Sequence, residues 1–158
     1  MRVLPVLLLC SCTAPSFITQ SELRIYDQNN KVRREDLDVA TDLVIYFLKE
    51  AKPNIYNDDN TSRALEGVVV RVSSELVPCP SNTGKCEGLA NINGMIYKHN
   101  DCIAKTAFVH EIIHILRARI EGDMDAEHAD MTLFGWGSVE ARVYVQLKCA
   151  NKNILYWK

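Results

Sequence analysis

A chain of 158 residues with 47% hydrophobic and 24% charged side chains can bury a core without covalent staples. Its formal net charge of −2 and pI near 6.1, with basic residues scattered along the chain, exclude the basic surface that binds nucleic acid. No internal repeat or low-complexity segment interrupts it.

Met1-Arg2 is a minimal charged start, and Val3 to Leu9 is apolar apart from Pro5. The run is too short to span a bilayer and reads as a secretory signal. Leu9-Cys10-Ser11-Cys12 resembles the bacterial lipobox: an aliphatic residue, a small residue just before the acceptor, then the cysteine that is lipidated. The resemblance implies a lipoprotein signal peptide over residues 1–11 and lipid on Cys12. Thr13 stands where an aspartate would favour the inner membrane, so the expected site is the outer membrane of a bacterial envelope. An ordinary signal peptide cleaved near Ala14 to Ser16 is the alternative. Residues 12–21 then form a tether, and residues 22–158 form one domain.

Within that domain, Leu23 to Tyr26 alternates and precedes Asp27-Gln28-Asn29-Asn30, which predicts a strand and a turn. Apolar residues from Leu37 to Ala51 keep a 3.6-residue period, predicting an amphipathic helix over Arg33 to Lys52 that Pro53 stops. Asn54 to Ser62 reads as polar loop and Val68 to Val72 as a buried strand. Gly88 to Lys98 alternates around Gly94, which suits an edge strand with a bulge or a close backbone approach. A helix over Ile103 to Ile120 follows, then an acid-rich loop from Gly122 to Gly137. Ser138 is a candidate N-cap for a last helix over Val139 to Lys148, and Ile154 to Trp157 is a candidate final strand.

The Ile103 to Ile120 helix carries His110-Glu111-Ile112-Ile113-His114. Histidines four apart lie on one helical face, about 6 Å of rise apart, and can point at one Zn²⁺. Glu111 sits beside the first ligand, where its carboxylate reaches a bound water rather than the metal. His128 is the first choice for a third ligand, with Glu140 and Asp130 as alternatives. Asp130 could instead orient an imidazole. Tyr97, Tyr144 and Trp136 are candidate transition-state donors.

Setting Cys10 and Cys12 aside leaves Cys79, Cys86, Cys102 and Cys149, an even number that suggests two disulfides in an exported chain. Cys79 and Cys86 flank a turn and would bridge locally, and Cys102 would then join Cys149. A zinc site on the four cysteines is the competing reading, against which the chain offers no C-x₂-C pair.

The order of elements around H-E-x-x-H resembles the metzincin-like zinc peptidases, over most of the chain from Leu23 to Cys149. That resemblance implies an α+β zincin-like fold: a small twisted mixed sheet, an active-site helix and two further helices. It also implies that Gly88 to Lys98 binds extended peptide by β-addition. The longer metzincin pattern would place glycine where Arg117 stands and histidine where Ile120 stands, so the chain departs from it. Met131 could be the methionine beneath the metal. The reading is an exported zinc metalloendopeptidase acting on protein or peptide, with His110, His114 and His128 as ligands and Glu111 as general base. The alternative is a zinc-holding surface lipoprotein that binds without cleaving.

Overall fold

The computed structural model describes residues 14–79, 84–100 and 102–147. Its architecture is α+β: four α-helices and a five-stranded mixed sheet of order β1-β2-β3-β7-β6, with a separate two-stranded ribbon. The strands are Phe17–Ile18 (β1), Arg24–Tyr26 (β2), Val69–Ser73 (β3), Gly88–Asn91 (β6) and Gly94–Lys98 (β7). β2, β3 and β7 run parallel, while β1 and β6 are antiparallel at the two edges. The ribbon pairs Val77–Pro78 (β4) with Lys85–Cys86 (β5). It is closed by the expected Cys79–Cys86 disulfide, with Cα atoms 5.3 Å apart. Cys102 is also disulfide-bonded. Its expected partner Cys149 lies outside the described residues, as do residues 1–13 with the signal and Cys12, and Ile154 to Trp157.

Strand register puts alternate residues on one buried face. Ile25, Val70, Met95 and Ala90 align across four strands, and Val72, Tyr97 and Gly88 form the next row. Helix Arg34–Ala51 (α1) adds Leu37, Ala40, Val44, Phe47 and Leu48 to the same core. The motif helix Phe108–Ile120 (α3) lies against β6 and β7 and contributes Ile112, Ile113, Ile115 and Leu116. The alternate sheet positions Arg71, Leu89 and Ile96 are exposed or half-buried.

Several expectations need correction. Gly88 to Lys98 is a hairpin rather than one edge strand: Asn91 pairs with Gly94 across a turn at Ile92 and Asn93. The Asn91 side chain accepts a hydrogen bond from Asn93 N at 2.8 Å, which fixes that turn. Among the described residues β7 is therefore interior, and of the two hairpin strands β6 is the one at an edge. The close backbone approach at Gly94 is present, because a Cβ there would run into the Val69 carbonyl oxygen. The polar stretch Asn54 to Ser62 contains the start of a helix, Asp58–Leu65 (α2). Asn57 and Asn60 cap each other's backbone N–H at its N-terminus. Among the described residues, helices beyond α3 thus number three instead of two.

The Ile103 to Ile120 helix is broken. Ile103–Lys105 is a 3₁₀ turn, and α3 begins at Phe108. The Thr106 hydroxyl causes the break, donating to Ile103 O at 2.8 Å and accepting from Phe108 N at 3.3 Å. Phe17 and Ile18, inside the expected tether, pair with Ile25 and Arg24. The last helix is Val139–Gln146 (α4), and Ser138 caps it by accepting from Ala141 N at 3.2 Å.

Candidate metal centre

Helix geometry puts His110 and His114 on the face of α3 that meets the returning loop, and His128 comes back from that loop. Their Nε2 atoms form a triangle with all three sides 3.1 Å. Three ligands bound tetrahedrally at about 2.0–2.1 Å would stand about 3.3 Å apart, so the spacing fits one shared cation.

The other ring nitrogens reinforce that reading. His110 Nδ1–H donates to Glu140 Oε1 at 2.9 Å, and His114 Nδ1–H donates to the Met124 carbonyl. A carbonyl can only accept, so the proton of neutral His114 sits on Nδ1 and its Nε2 presents a lone pair. Burial pulls His114 down to about 4, which keeps it neutral near pH 7. Burial opposes protonation of His110 too, but the hydrogen bond and charge of Glu140, with Glu111, raise it overall. Converging lone pairs repel each other unless a positive charge lies among them. This donor set fits a metal ion, and imidazole nitrogen suits zinc, copper, iron or nickel.

Glu111 is 6% exposed and packs under the edge strand. Burial pushes its carboxyl up to about 7, with His110 pulling it down and Glu140 pushing it further up. Gly88 of β6 makes room for it: a Cβ on Gly88 would lie 2.6 Å from Glu111 Oε1 and 2.9 Å from its Cγ. A carboxylate able to trade a proton near neutrality thus sits next in sequence to the first histidine.

The alternative third ligands have other partners. Glu140, in the first turn of α4, orients His110 by hydrogen bonding to its far nitrogen. Asp130 forms an ion pair with Lys52 at 2.6 Å and accepts from Thr132 N, so it orients none of the imidazoles through these bonds. Met131 is 65% exposed and is not the floor of the site. Phe134 is, with ring centroids 5.1, 4.6 and 4.7 Å from those of His110, His114 and His128. Sequence reasoning passed over it; the only hint was Leu133-Phe134, an apolar pair in an acid-rich loop.

The proposed donors fare no better. Tyr97 is wholly buried, and the Tyr144 hydroxyl donates to Thr106 O at 3.0 Å. Trp136 is 81% exposed, which leaves its side chain outside the core. His99, the fourth histidine, is buried with Nδ1 3.5 Å from the Tyr97 hydroxyl and is not part of the triad.

The His128 loop closes on the Asp125 carboxylate. Asp125 and His128 have φ of 51° and 54°, the left-handed region that non-glycine residues adopt at a cost. Asp125 carboxylate oxygens accept from Ala129 N at 2.8 Å and Asp130 N at 2.9 Å. On the opposite side, Arg119 Nε donates to Ile92 O at 2.6 Å, anchoring the β6–β7 turn to α3.

No family model, curated protein or solved structure matches this chain. Among the described residues, no helix is long and apolar enough to cross a membrane.

Proposed function

We propose that this chain is a zinc-dependent metallopeptidase of divergent zincin type, exported and tethered through lipid on Cys12. The observation that carries the proposal is the 3.1 Å triangle of Nε2 atoms beside a buried glutamate that is not one of its members. A purely structural metal site needs the three histidines but gives Glu111 no role. The mixed sheet, with an antiparallel edge strand lying over the motif helix, is consistent with a zincin-like fold.

His110, His114 and His128 would hold the ion, with Glu140 and the Met124 carbonyl fixing the first two rings. Bound zinc would supply Lewis acidity, lowering the pKa of water to about 7 and polarising the scissile carbonyl. Glu111 takes the proton from the attacking water and passes it to the amine nitrogen as the C–N bond breaks. Its burial-raised pKa near 7 suits both halves of that exchange. An extended peptide would add to the outer edge of β6, which among the described residues has one neighbour in the sheet. The lipid anchor rests on Leu9 to Cys12 of the sequence alone.

The test is cleavage of a broad peptide library by zinc-loaded wild type and Glu111→Gln. Hydrolysis by wild type, reduced at least about 10²-fold in Glu111→Gln at equal zinc content, supports the peptidase. A zinc-loaded wild type that cleaves nothing would favour the binding lipoprotein instead.

A further inference from the structure

We infer that Arg117 is a positioning residue for the metal centre, holding the loop that presents His128 through Asp125. The inference rests on the metal-site reading above and concerns how its third arm is kept in place.

Arg117 lies one helical turn beyond His114 on α3. Its guanidinium reaches into the turn between His114 and His128: Nη1 meets Asp125 Oδ2, and Nη2 meets Asp123 Oδ2 at 3.1 Å. The Arg117 side chain is 13% exposed and that of Asp125 is 4% exposed, so water screens the pair poorly. Among the described residues neither Nε nor Nη1 of Arg117 has an aligned hydrogen-bond acceptor, which makes the hold on Asp125 chiefly Coulombic.

Asp125 transmits that hold. Its side chain accepts from Ala129 N and Asp130 N, and its carbonyl accepts from His128 N at 2.8 Å. Those three bonds close the turn in which His128 takes its left-handed backbone. Lys52 pins the far end through Asp130 at 2.6 Å, and Asp130 O then accepts from Leu133 N and Phe134 N. The same clamp therefore sets both the third histidine and the ring beneath all three. Arg117 Nη1 also lies 3.8 Å from Asp130 Oδ2, and Glu121, which accepts from the Tyr56 hydroxyl, pairs with Lys52 at 3.2 Å. A loop with two left-handed non-glycine residues would otherwise sample many conformations, and a misplaced His128 weakens the centre even when α3 is intact.

The experiment measures two quantities for wild type, Arg117→Met, Asp125→Asn and the double variant. Zinc affinity is read by competition with a chromophoric chelator. Hydrogen exchange of the Ala129 and Asp130 amides is read in EDTA-treated protein. Arg33→Met, which removes the same charge from an exposed pair at the start of α1, is the control. Each single variant should lose about 10–100-fold in zinc affinity and lose protection at both amides, with Arg33→Met unchanged. The double variant should lose no more than the more damaging single, because the two residues act as a unit. Arg117→Lys, which can reach Asp125 but cannot also fork to Asp123, should fall between wild type and Arg117→Met.

Affinity and protection within about twofold of wild type in Arg117→Met, or multiplying losses in the double variant, would overturn the inference. If Arg117→Met does not fold, Asp125→Asn decides it, since its amide oxygen keeps part of the turn. If wild type binds no zinc, the metal reading fails, and the two amides still report whether Arg117 holds the loop.

Discussion

Glu140 accepts a hydrogen bond from His110 Nδ1 at 2.9 Å, so the first turn of α4 fixes the ring of a residue 30 positions earlier. Burial alone would lower the His110 pKa, and Glu140 is the main reason it is raised instead. Glu140→Gln should therefore move the His110 titration below the ordinary histidine value in EDTA-treated protein, read by ring-proton NMR. Zinc affinity should fall by about 10–100-fold in the same variant. An unmoved titration would show that Glu140 does not orient the ring.

Gly88→Ala should damage Glu111 without touching the histidines. The added Cβ would lie 2.6 Å from both Glu111 Oε1 and Ala107 Cβ, so one of them must shift. The expected outcome is a loss of about 1–3 kcal/mol of stability in urea unfolding, with zinc content kept and any hydrolysis strongly reduced. Wild-type hydrolysis in this variant would mean that Glu111 tolerates displacement.

Phe134→Ala should both destabilise the fold and loosen the metal. The ring is 3% exposed and touches all three imidazoles, so its removal leaves a cavity under the centre. A loss of about 3–5 kcal/mol is expected from urea unfolding, with a smaller loss for Phe134→Leu. Met131→Ala, at an exposed position, should change neither stability nor zinc affinity.

The three-histidine group was legible in the sequence where geometry is local. Residues four apart on a helix must share a face, so His110 and His114 needed only the apolar period around them. His128 could be picked by chemistry, as the remaining histidine within reach of α3. What surrounds it could not: Asp125 and His128 take left-handed backbone in a loop that Arg117 and Lys52 approach only in the folded chain. Glu140 was visible as an acid near a helix start, yet sequence spacing does not separate a metal ligand from a group that orients one. In the fold, α2 was missed because its cap is an Asn57–Asn60 pair and its outward face is polar. The hairpin was missed although Asn93-Gly94 is a turn signal, because alternation continues across it.

The pH dependence of EDTA-treated protein should have two arms. His114 is depressed from 6.5 to about 4, so its contribution is present above pH 6.5 and is lost as pH falls toward 4. Glu111 is raised from 4.5 to about 7, so its contribution is present below pH 4.5 and is lost as pH rises through 7. Glu111→Gln should therefore raise the free energy of urea unfolding over wild type at about pH 8, by up to about 3 kcal/mol, and leave it unchanged near pH 4. Parallel midpoints at the two pH values would assign the alkaline arm to another group.

Zinc stoichiometry of purified protein kept away from chelators bears most directly on the centre itself. Elemental analysis should find about one zinc per chain in wild type, a clear loss in His114→Ala and His128→Ala, and near-full occupancy in Glu111→Gln. Less than about a tenth of an equivalent in wild type, not restored by added Zn²⁺, would contradict a metal centre built on His110, His114 and His128.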